Sequence, residues 1–269
     1  MATGTGRARA AAAGLAWLSC QSAHAQDEHE LARKLANPVA AMISVPLQAN
    51  HDRRYGPTRD GHRSTMNVQP VVPVTLTADW TLISRTILPI VTQHELAPGA
   101  GGQHGIGDIT QSFFLTPARP AANGIIWGAG PVLLLPTGSE SALSARQWGI
   151  GPTGVVARQH GPWTYGALAN HIWSFAGHDD RPNVSATFLQ PFVSYTTGTA
   201  WTFGINTESS YDWKQEQWSV PVNFTASKLL KIGRQPVSIG GGLRYWADSP
   251  SGGPRDWGVR LSVTFLFAR

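Results

Sequence analysis

Two residues suited to nucleophilic catalysis lie close together in the first quarter of the chain. His62 and Ser64 are two positions apart, and on a β-strand this spacing places a base and the hydroxyl that it activates on one face. The pair falls at the edge of a segment predicted to be a loop, where this spacing arises easily by chance. An ester hydrolase at these residues is therefore an alternative function and not the favoured one.

Other reactive residue types form no complete site. His178-Asp179-Asp180 brings a histidine next to two carboxylates, and we interpret it as a solvated loop or a contact for divalent ions that bridge lipopolysaccharide phosphates. Gly105 and Gly107 precede Asp108 without the Gly-Lys-Ser/Thr of a phosphate-binding loop. Because the histidines are scattered, we expect no metal site and no cofactor.

Polar residues within alternating apolar segments are better candidates for function. Arg244 and Arg260 each stand between two apolar residues near the end of the chain, and Arg85, Asn206 and Glu208 hold the same phase in earlier segments. We predict that all five face a polar interior, which is where charges at membrane depth are tolerated. There they would either form a field of arginine opposite glutamate that selects small anions, such as aromatic carboxylates or phenolates, or pair with one another and fill the space.

The elements that position these residues are predicted strands. In the last of them, apolar residues from Trp257 to Phe267 alternate with polar or small ones, so one face would meet lipid and the other a polar interior. We predict an all-β fold, an antiparallel up-and-down transmembrane β-barrel of about 12 strands with a short N-terminal helical segment. The predicted strands are Ile43–Asp52, Ser64–Leu76, Trp80–Val91, Gly107–Thr116, Gly124–Leu135, Trp148–Gln159, Trp163–Phe175, Val184–Thr196, Trp201–Asp212, Gln217–Leu229, Gln235–Trp246 and Trp257–Phe267.

Tryptophans lie at or beside the ends of these strands. Indole has an apolar body and one N–H, so it favours the boundary between water and hydrocarbon, and transmembrane barrels carry two girdles of such residues. Only Trp127 sits deeper within a segment. We predict an aromatic girdle made of Trp80, Trp148, Trp163, Trp173, Trp201, Trp213, Trp218, Trp246 and Trp257.

The N-terminus has the features of an exported protein. Arg7 and Arg9 precede an apolar run at 10–18, and Ala23-His24-Ala25 is a small-x-small cleavage pattern. The one cysteine, Cys20, lies before that site, so we expect a mature chain without disulfides. Without the leader the chain keeps a small positive charge spread along its length, which argues against nucleic acid as a partner.

Three regions follow from this division. We predict a signal peptide over residues 1–25, an N-terminal periplasmic or plug segment over 26–40, and the barrel over 41–269. Leu31 and Leu35 are four positions apart, as in a short amphipathic helix. This helix would either plug the lumen or, as we favour, lie on the periplasmic surface.

Connection lengths and prolines bear on the topology. Connections after even-numbered strands are generally shorter than the others, as expected for periplasmic turns and outer loops. Proline cannot donate a ladder hydrogen bond, so each proline within a strand demands a bulge, a strand end or a gap. Those prolines are Pro46, Pro70, Pro73, Pro89, Pro131, Pro152, Pro191 and Pro221.

Several stretches are similar to a known family. They are Asn37-Pro38-Val39, Ile43-Ser44-Val45-Pro46, Asn67-Val68-Gln69-Pro70-Val71-Val72-Pro73, Ile83-Ser84-Arg85-Thr86-Ile87-Leu88-Pro89, Gly105-Ile106-Gly107-Asp108, Leu134-Leu135-Pro136-Thr137, Gly161-Pro162-Trp163-Thr164-Tyr165-Gly166, Leu189-Gln190-Pro191-Phe192 and Phe265-Leu266-Phe267. On these motifs nearly the whole mature chain resembles the outer-membrane transporter family named after the meta-pathway of phenol degradation. The resemblance implies a barrel that moves small molecules, with aromatic compounds as candidates, and it assigns no residue a role. Ala268 and Arg269 depart from the aromatic terminus usual in such barrels.

These observations predict a channel or transporter in the cell outer membrane for passive passage of small, aromatic or anionic, compounds, without enzymatic activity. Two alternatives remain: a phospholipase-like outer-membrane hydrolase, and a structural or sensory barrel without transport. The expected partners are outer-membrane lipid and lipopolysaccharide, the barrel-assembly machinery and a small-molecule solute. The predicted lumen residues are Arg85, Asn206, Glu208, Arg244 and Arg260.

Overall fold

The barrel closes through the pairing of its first and last strands. The computed structural model describes residues 28–97 and 99–267, and there twelve antiparallel strands form one sheet closed on itself. The first strand pairs with the last from Ile43 with Phe267 to His51 with Val259, so this junction leaves no free edge. The predicted fold class is confirmed. The predicted signal peptide, with Cys20, lies outside the described residues.

Each predicted strand overlaps one observed strand, and three observed strands are interrupted once. An interrupted strand consists of two pieces that pair with the same neighbours or continue along them. The strands are β1 (Ile43–Tyr55), β2 (Gly61–Val68 and Val71–Thr75), β3 (Trp80–His94), β4 (Gly102–Ile106 and Ile109–Pro117), β5 (Ile125–Leu135), β6 (Gln147–His160), β7 (Trp163–Gly177), β8 (Ser185–Thr196), β9 (Trp201–Thr207 and Ser209–Asp212), β10 (Gln217–Ile232), β11 (Gln235–Asp248) and β12 (Asp256–Phe267).

Alternation along each strand sets which side chains face the lumen. In β12, Arg260 and Leu266 are buried, whereas Trp257, Val259 and Leu261 are exposed. The exposed face is mostly apolar on the other strands as well, which is the arrangement that a lipid-facing barrel wall requires. The lumen therefore receives the polar phase of the sequence.

The two ends of the barrel differ in their connections. At the end that we call inner, where β1 begins and β12 ends, the turns are short, as at 161–162 and 233–234. At the opposite, outer end most connections are longer, as at 136–146. β1 and β3 run further toward the outer end than predicted, because their last residues continue the ladder with β2.

Prolines lie opposite two of the strand interruptions. Pro46 faces the break in β2, where Gln69 donates its backbone N–H to the Pro46 carbonyl oxygen at 2.8 Å. Pro89 faces the break in β4, and Gly107 donates to its carbonyl oxygen at 2.8 Å. A proline has no N–H to give to the neighbouring strand, so the ladder opens where the sequence predicts.

The N-terminal helix, residues 28–35, packs at the inner end of the lumen. Ala32 is 3% exposed and lies in a cluster with Ala200, Leu229 and Leu266, whose side chains come from the barrel. Gln159 donates its side-chain N–H to the Arg33 carbonyl oxygen at 2.7 Å. Across 28–97 and 99–267, no helix has the length and apolar character needed to cross a membrane.

The chain that follows the helix continues along the inner wall. Val39 is buried in a cluster with Ile83, Phe114, Val155 and Leu168, which project from β3, β4, β6 and β7. The apolar inward residues of these strands are thereby covered by the N-terminal segment. Apolar packing thus occupies the inner part of the lumen and leaves the polar residues toward the outer part.

Candidate functional site

A buried ionic group crosses the outer part of the lumen. We call it the lumen cluster and define it as Asn50, Asp52, Glu208, Arg244 and Arg260. Strand alternation brings it together, since the two arginines come from the neighbouring strands β11 and β12 and the first two residues from β1. Arg260 and Arg244 are 4% and 8% exposed, so both guanidinium groups depend on protein partners.

Glu208 and Arg260 form the centre of the lumen cluster. Arg260 donates from Nη1 to Glu208 Oε1 at 2.9 Å and from Nη2 to Oε2 at 2.7 Å, the two-point geometry characteristic of strong arginine–carboxylate pairs. Its Nε donates to Asn50 Oδ1 at 2.7 Å. Arg260 therefore has partners on both sides of β12, with Asn50 on β1 and Glu208 on β9.

Arg244 extends the lumen cluster to a second carboxylate. Its Nη1 lies 3.5 Å from Glu208 Oε2, and its Nε lies 3.4 Å from Asp52 Oδ1. The second contact is an ion pair without hydrogen-bond geometry, because the buried Nε has no hydrogen-bond partner among the described residues. This N–H of Arg244 is therefore buried beside a carboxylate without a hydrogen bond.

The girdle prediction is wrong for Trp246. This indole faces the lumen, donates its Nε1–H to Asp52 Oδ1 at 2.9 Å, and lies 4.8 Å from the Arg244 guanidinium carbon, measured to the ring centroid. Arg244 stands two residues before Trp246 on β11, so both side chains have the inward phase. The position at a strand end suggested a girdle, but the phase within the strand determines the face.

Glu208 owes its position to the interruption of β9. The β8–β9 ladder stops after Leu189 with Ser209 and resumes at Phe192 with Asn206. Pro191 lies in the interval and has no N–H to complete the ladder. Glu208 instead donates its backbone N–H to the Pro221 carbonyl oxygen at 3.2 Å, and its side chain enters the lumen.

Arg85 and Asn206 lie in a separate part of the lumen. Both line a cavity of about 330 Å³ between the N-terminal segment and the wall. Arg85 donates from Nη2 to Gln69 Oε1 at 3.0 Å, and Asn206 accepts from Asn223 Nδ2 at 2.9 Å. The fully buried Asn223 Oδ1 has no partner in the described part of the chain. Of the five residues predicted to line the lumen, three therefore meet in the lumen cluster and two line this cavity.

Sequence reasoning missed several polar residues of the lumen, among them Asn50, Asp52 and Arg63. Asn50 and Asp52 share the inward phase of β1, and this alternation could have indicated both. Arg63 donates from Nε to Gln93 Oε1 at 2.8 Å and lies over the Tyr55 ring at 5.6 Å. It was assigned to a loop because β2 begins three residues earlier than predicted.

The charges of this region leave an excess of positive charge. Four arginines face two carboxylates, so the group carries two more positive than negative charges. Glu208 interacts electrostatically with three of the arginines, including the more distant Arg85. A polar interior with this balance attracts small anions and repels small cations. The six residues are Asp52, Arg63, Arg85, Glu208, Arg244 and Arg260.

The other tryptophans of the predicted girdle are exposed. They fall into two groups by strand end, and Trp127 joins the inner group, with its ring 6.0 Å from that of Trp80 in an edge contact. Toward the outer end are Trp148, Trp173, Trp213, Trp218 and Trp257, and toward the inner end are Trp80, Trp163 and Trp201.

The candidate catalytic residues do not assemble as the sequence suggested. His62 and Ser64 lie in β2 and not in a loop, and Ser64 Oγ hydrogen-bonds His51 Nδ1 at 2.9 Å and not His62. Among the described residues, no carboxylate or amide side chain hydrogen-bonds the second nitrogen of His51. His178 lies 3.8 Å from Asp180 on the exposed outer surface.

Comparison with solved structures identifies the architecture. The COG4313 outer membrane channel from Pseudomonas putida F1 superposes with a TM-score of 0.66 at 16% identity, over 84% of this chain and 96% of that one. The NanC porin gives 0.50 at 11% identity, over 82% and 98%. The Salmonella typhi outer membrane phospholipase dimer with bound calcium gives 0.50 at 10% identity, over 88% and 96%.

These similarities establish the fold. No family model and no curated protein matches the chain. It is an outer-membrane β-barrel: the sheet is closed, the exterior is apolar, and the structural neighbours are barrels of the same membrane. Conduction through the lumen depends on the side chains that line it.

Proposed function

We propose that this protein is a passive outer-membrane channel for small anions, with aromatic carboxylates and phenolates as the candidate solutes. The observation that carries the proposal is the lumen cluster, in which Arg260 and Arg244 share Glu208 while further arginines lie in the same lumen. Fully matched charges would only fill the barrel. The excess of positive charge favours a path for anions instead.

The size of the lumen supports small solutes over sugars or peptides. Eight-stranded barrels are filled by side chains and barrels of sixteen or more strands hold wide aqueous channels, so twelve strands leave a narrow passage. The cavity beside Arg85 is about 330 Å³, at the lower end of the roughly 300–1,000 Å³ typical of small-molecule pockets. It has apolar and polar walls, which suits an aromatic ring that carries one charged group.

The N-terminal segment has a role in this proposal. Its helix packs through Ala32 against the inner wall, and Lys34 and Leu35 line the cavity. In our proposal residues 28–40 narrow the periplasmic mouth, so that solutes pass one at a time between the segment and the wall. The family proposed from the sequence, the transporters named after the meta-pathway of phenol degradation, fits such a role. Lipopolysaccharide and the barrel-assembly machinery remain proposed partners.

The hydrolase alternative has a weaker basis. The hydrogen bond between Ser64 and His51 supports a nucleophile and a base. No third residue orients the His51 ring in the described ranges, and the backbone N–H groups of β2 serve the ladders with β1 and β3. An oxyanion would therefore find few free donors. A structural or sensory barrel remains the second alternative, and it would neither conduct nor hydrolyse.

Solute flux into liposomes tests the proposal. Relative to protein-free liposomes, liposomes that contain the refolded mature protein should show a larger increase in the entry rate of benzoate than in that of benzyl alcohol or benzylamine. Arg85→Ala should reduce benzoate entry at least about threefold, because a fixed positive charge in the path is lost. Arg158→Ala is the matched control, since Arg158 is exposed and outside the lumen. Equal entry of all three solutes, or no entry through a folded barrel, would refute the proposal.

A further inference from the structure

The outer surface of β1–β4 carries polar residues where other strands carry tryptophan. We call this group the histidine patch. Two horizontal rows form it, each made by residues that pair across adjacent strands. The upper row consists of Arg53, His62 and His94, and the lower row consists of His51, Ser64, Thr92 and His104.

Strand register places the histidine patch at the level of the outer tryptophans. His51 pairs with Val259 of β12, so Trp257, two residues further out, stands level with Arg53. Trp257 is half exposed at the outer end of its strand, where indole marks the boundary between headgroups and hydrocarbon. The patch therefore lies where the phosphate groups of the surrounding lipid lie.

The chemistry of the histidine patch suits a phosphate. The His62 and His94 rings stack at 5.7 Å between centroids, and His104 Nδ1 hydrogen-bonds Thr92 Oγ1 at 2.7 Å. Imidazole N–H, hydroxyl and guanidinium groups all donate to phosphate oxygens. Neither row contains an acidic residue, so no carboxylate within them would repel an anion.

An apolar groove begins directly below the lower row. It has a volume of about 240 Å³ and shares His51, Ser64 and Thr92 with the patch. Its wall is formed by Met66, Ile90 and Leu261, and the small Ala49 lies between Met66 and Leu261 in the pairing of the strands. A hydrocarbon chain fits this shape and this chemistry.

We propose that the histidine patch and the groove bind one phosphorylated lipid of the outer leaflet, with its phosphate on Arg53, His62 and His94 and an acyl chain over Ala49. The longer connections of such barrels are extracellular, which places the patch in the outer leaflet. Polar donors next to an acyl-chain groove favour a phospholipid-like ligand over a free anion. This site is on the outside of the wall and is independent of transport.

Native mass spectrometry of the full mature protein in detergent tests the site. Bisphosphoryl lipid A is the probe, with lipid A stripped of its phosphates and inorganic phosphate as comparisons. The wild type should bind one lipid A, and the stripped lipid at least about fivefold more weakly, the factor that one basic contact near a membrane surface contributes. The proposal would be overturned if the stripped lipid bound with the same affinity as lipid A. It would also be overturned if inorganic phosphate bound as tightly as lipid A.

Two pairs of variants assign the binding to these residues. His62→Leu with His94→Leu should weaken lipid A binding at least about fivefold, whereas His171→Leu, on β7 across the barrel, should not. Ala49→Phe fills the groove and should also weaken binding, whereas Ala226→Phe, in another apolar groove of the exterior, should not. Leucine and phenylalanine suit a lipid-facing wall, so the variants should fold. Unchanged lipid A affinity in both site variants would overturn the proposal. So would release of fatty acid by the wild type that Ser64→Ala abolishes.

Discussion

Glu208 determines the charge balance of the lumen. Its carboxylate accepts two hydrogen bonds from Arg260 and lies 3.5 Å from an Arg244 nitrogen. The residue was predicted from its phase within a strand, and pairing with the lumen arginines was one of two alternatives. The phase alone could not decide between these alternatives, because the contact joins β9 to β11 and β12. Closure of the barrel adds Asn50 and Asp52 of β1 to this group.

We expect Glu208→Gln to destabilise the protein and to strengthen its preference for anions. Arg260 is 4% exposed and would lose its charged partner, which costs about 3 kcal/mol for a buried pair. Urea unfolding in lipid vesicles, followed by tryptophan fluorescence, measures the free energy of unfolding. Glu140→Gln, in an exposed outer connection, is the control and should change it by less than about 0.5 kcal/mol. Equal stability of the two variants would contradict the assignment.

Strands are the elements that the sequence predicts best here. The period-two pattern from Trp257 to Phe267 depends only on neighbouring residues, and β12 was correct to within one residue at its start. Contacts between strands are harder to predict from the sequence, since the Ser64–His51 hydrogen bond depends on the register of β1 against β2. Trp246 failed for a different reason: its position at a strand end suggested a girdle, although it shares the inward phase of Arg244.

Glycines allow strands to approach where the ladder is irregular. The β6–β7 ladder has no pairs between Ile150 with Trp173 and Thr153 with Asn170, beside Pro152. A Cβ on Gly151 would lie 1.7 Å from the His171 carbonyl oxygen. That oxygen belongs to the backbone and cannot rotate away.

We therefore expect Gly151→Ala to impair folding of the barrel by at least about 2 kcal/mol, the cost of overpacking. The folded fraction can be read from the shift in gel mobility between heated and unheated samples. Gly154→Ala, on the same strand, should fold normally, because the nearest atom to its new Cβ is 3.8 Å away. If both variants fold equally well, the close approach of β6 and β7 at Gly151 is wrong.

At the scale of the whole molecule, two apolar surfaces are covered differently. Lipid covers the exterior, whereas the N-terminal segment covers the apolar inward residues at the inner end, such as Ile83 and Leu229. The sequence indicated a helix by the spacing of Leu31 and Leu35. It could not place the helix inside the barrel, since a short amphipathic helix fits a surface equally well.

We expect Ala32→Asp to displace the helix and to raise conductance, because a buried carboxylate beside Leu229 and Leu266 is unfavourable. Ala122→Asp is the control: it introduces the same carboxylate in the exposed inner connection between β4 and β5. Single-channel recording in planar bilayers provides the measurement. A narrowing role for the segment is excluded if both variants conduct like the wild type.

The reversal potential of the refolded mature protein under a salt gradient tests the central claim most directly. Anion selectivity is predicted for the wild type, because arginines outnumber carboxylates in the lumen. Arg260→Ala should reduce that selectivity, while Arg158→Ala should leave it unchanged. Cation selectivity of the wild type, or equal reversal potentials in all three proteins, would contradict an anion path lined by the lumen cluster.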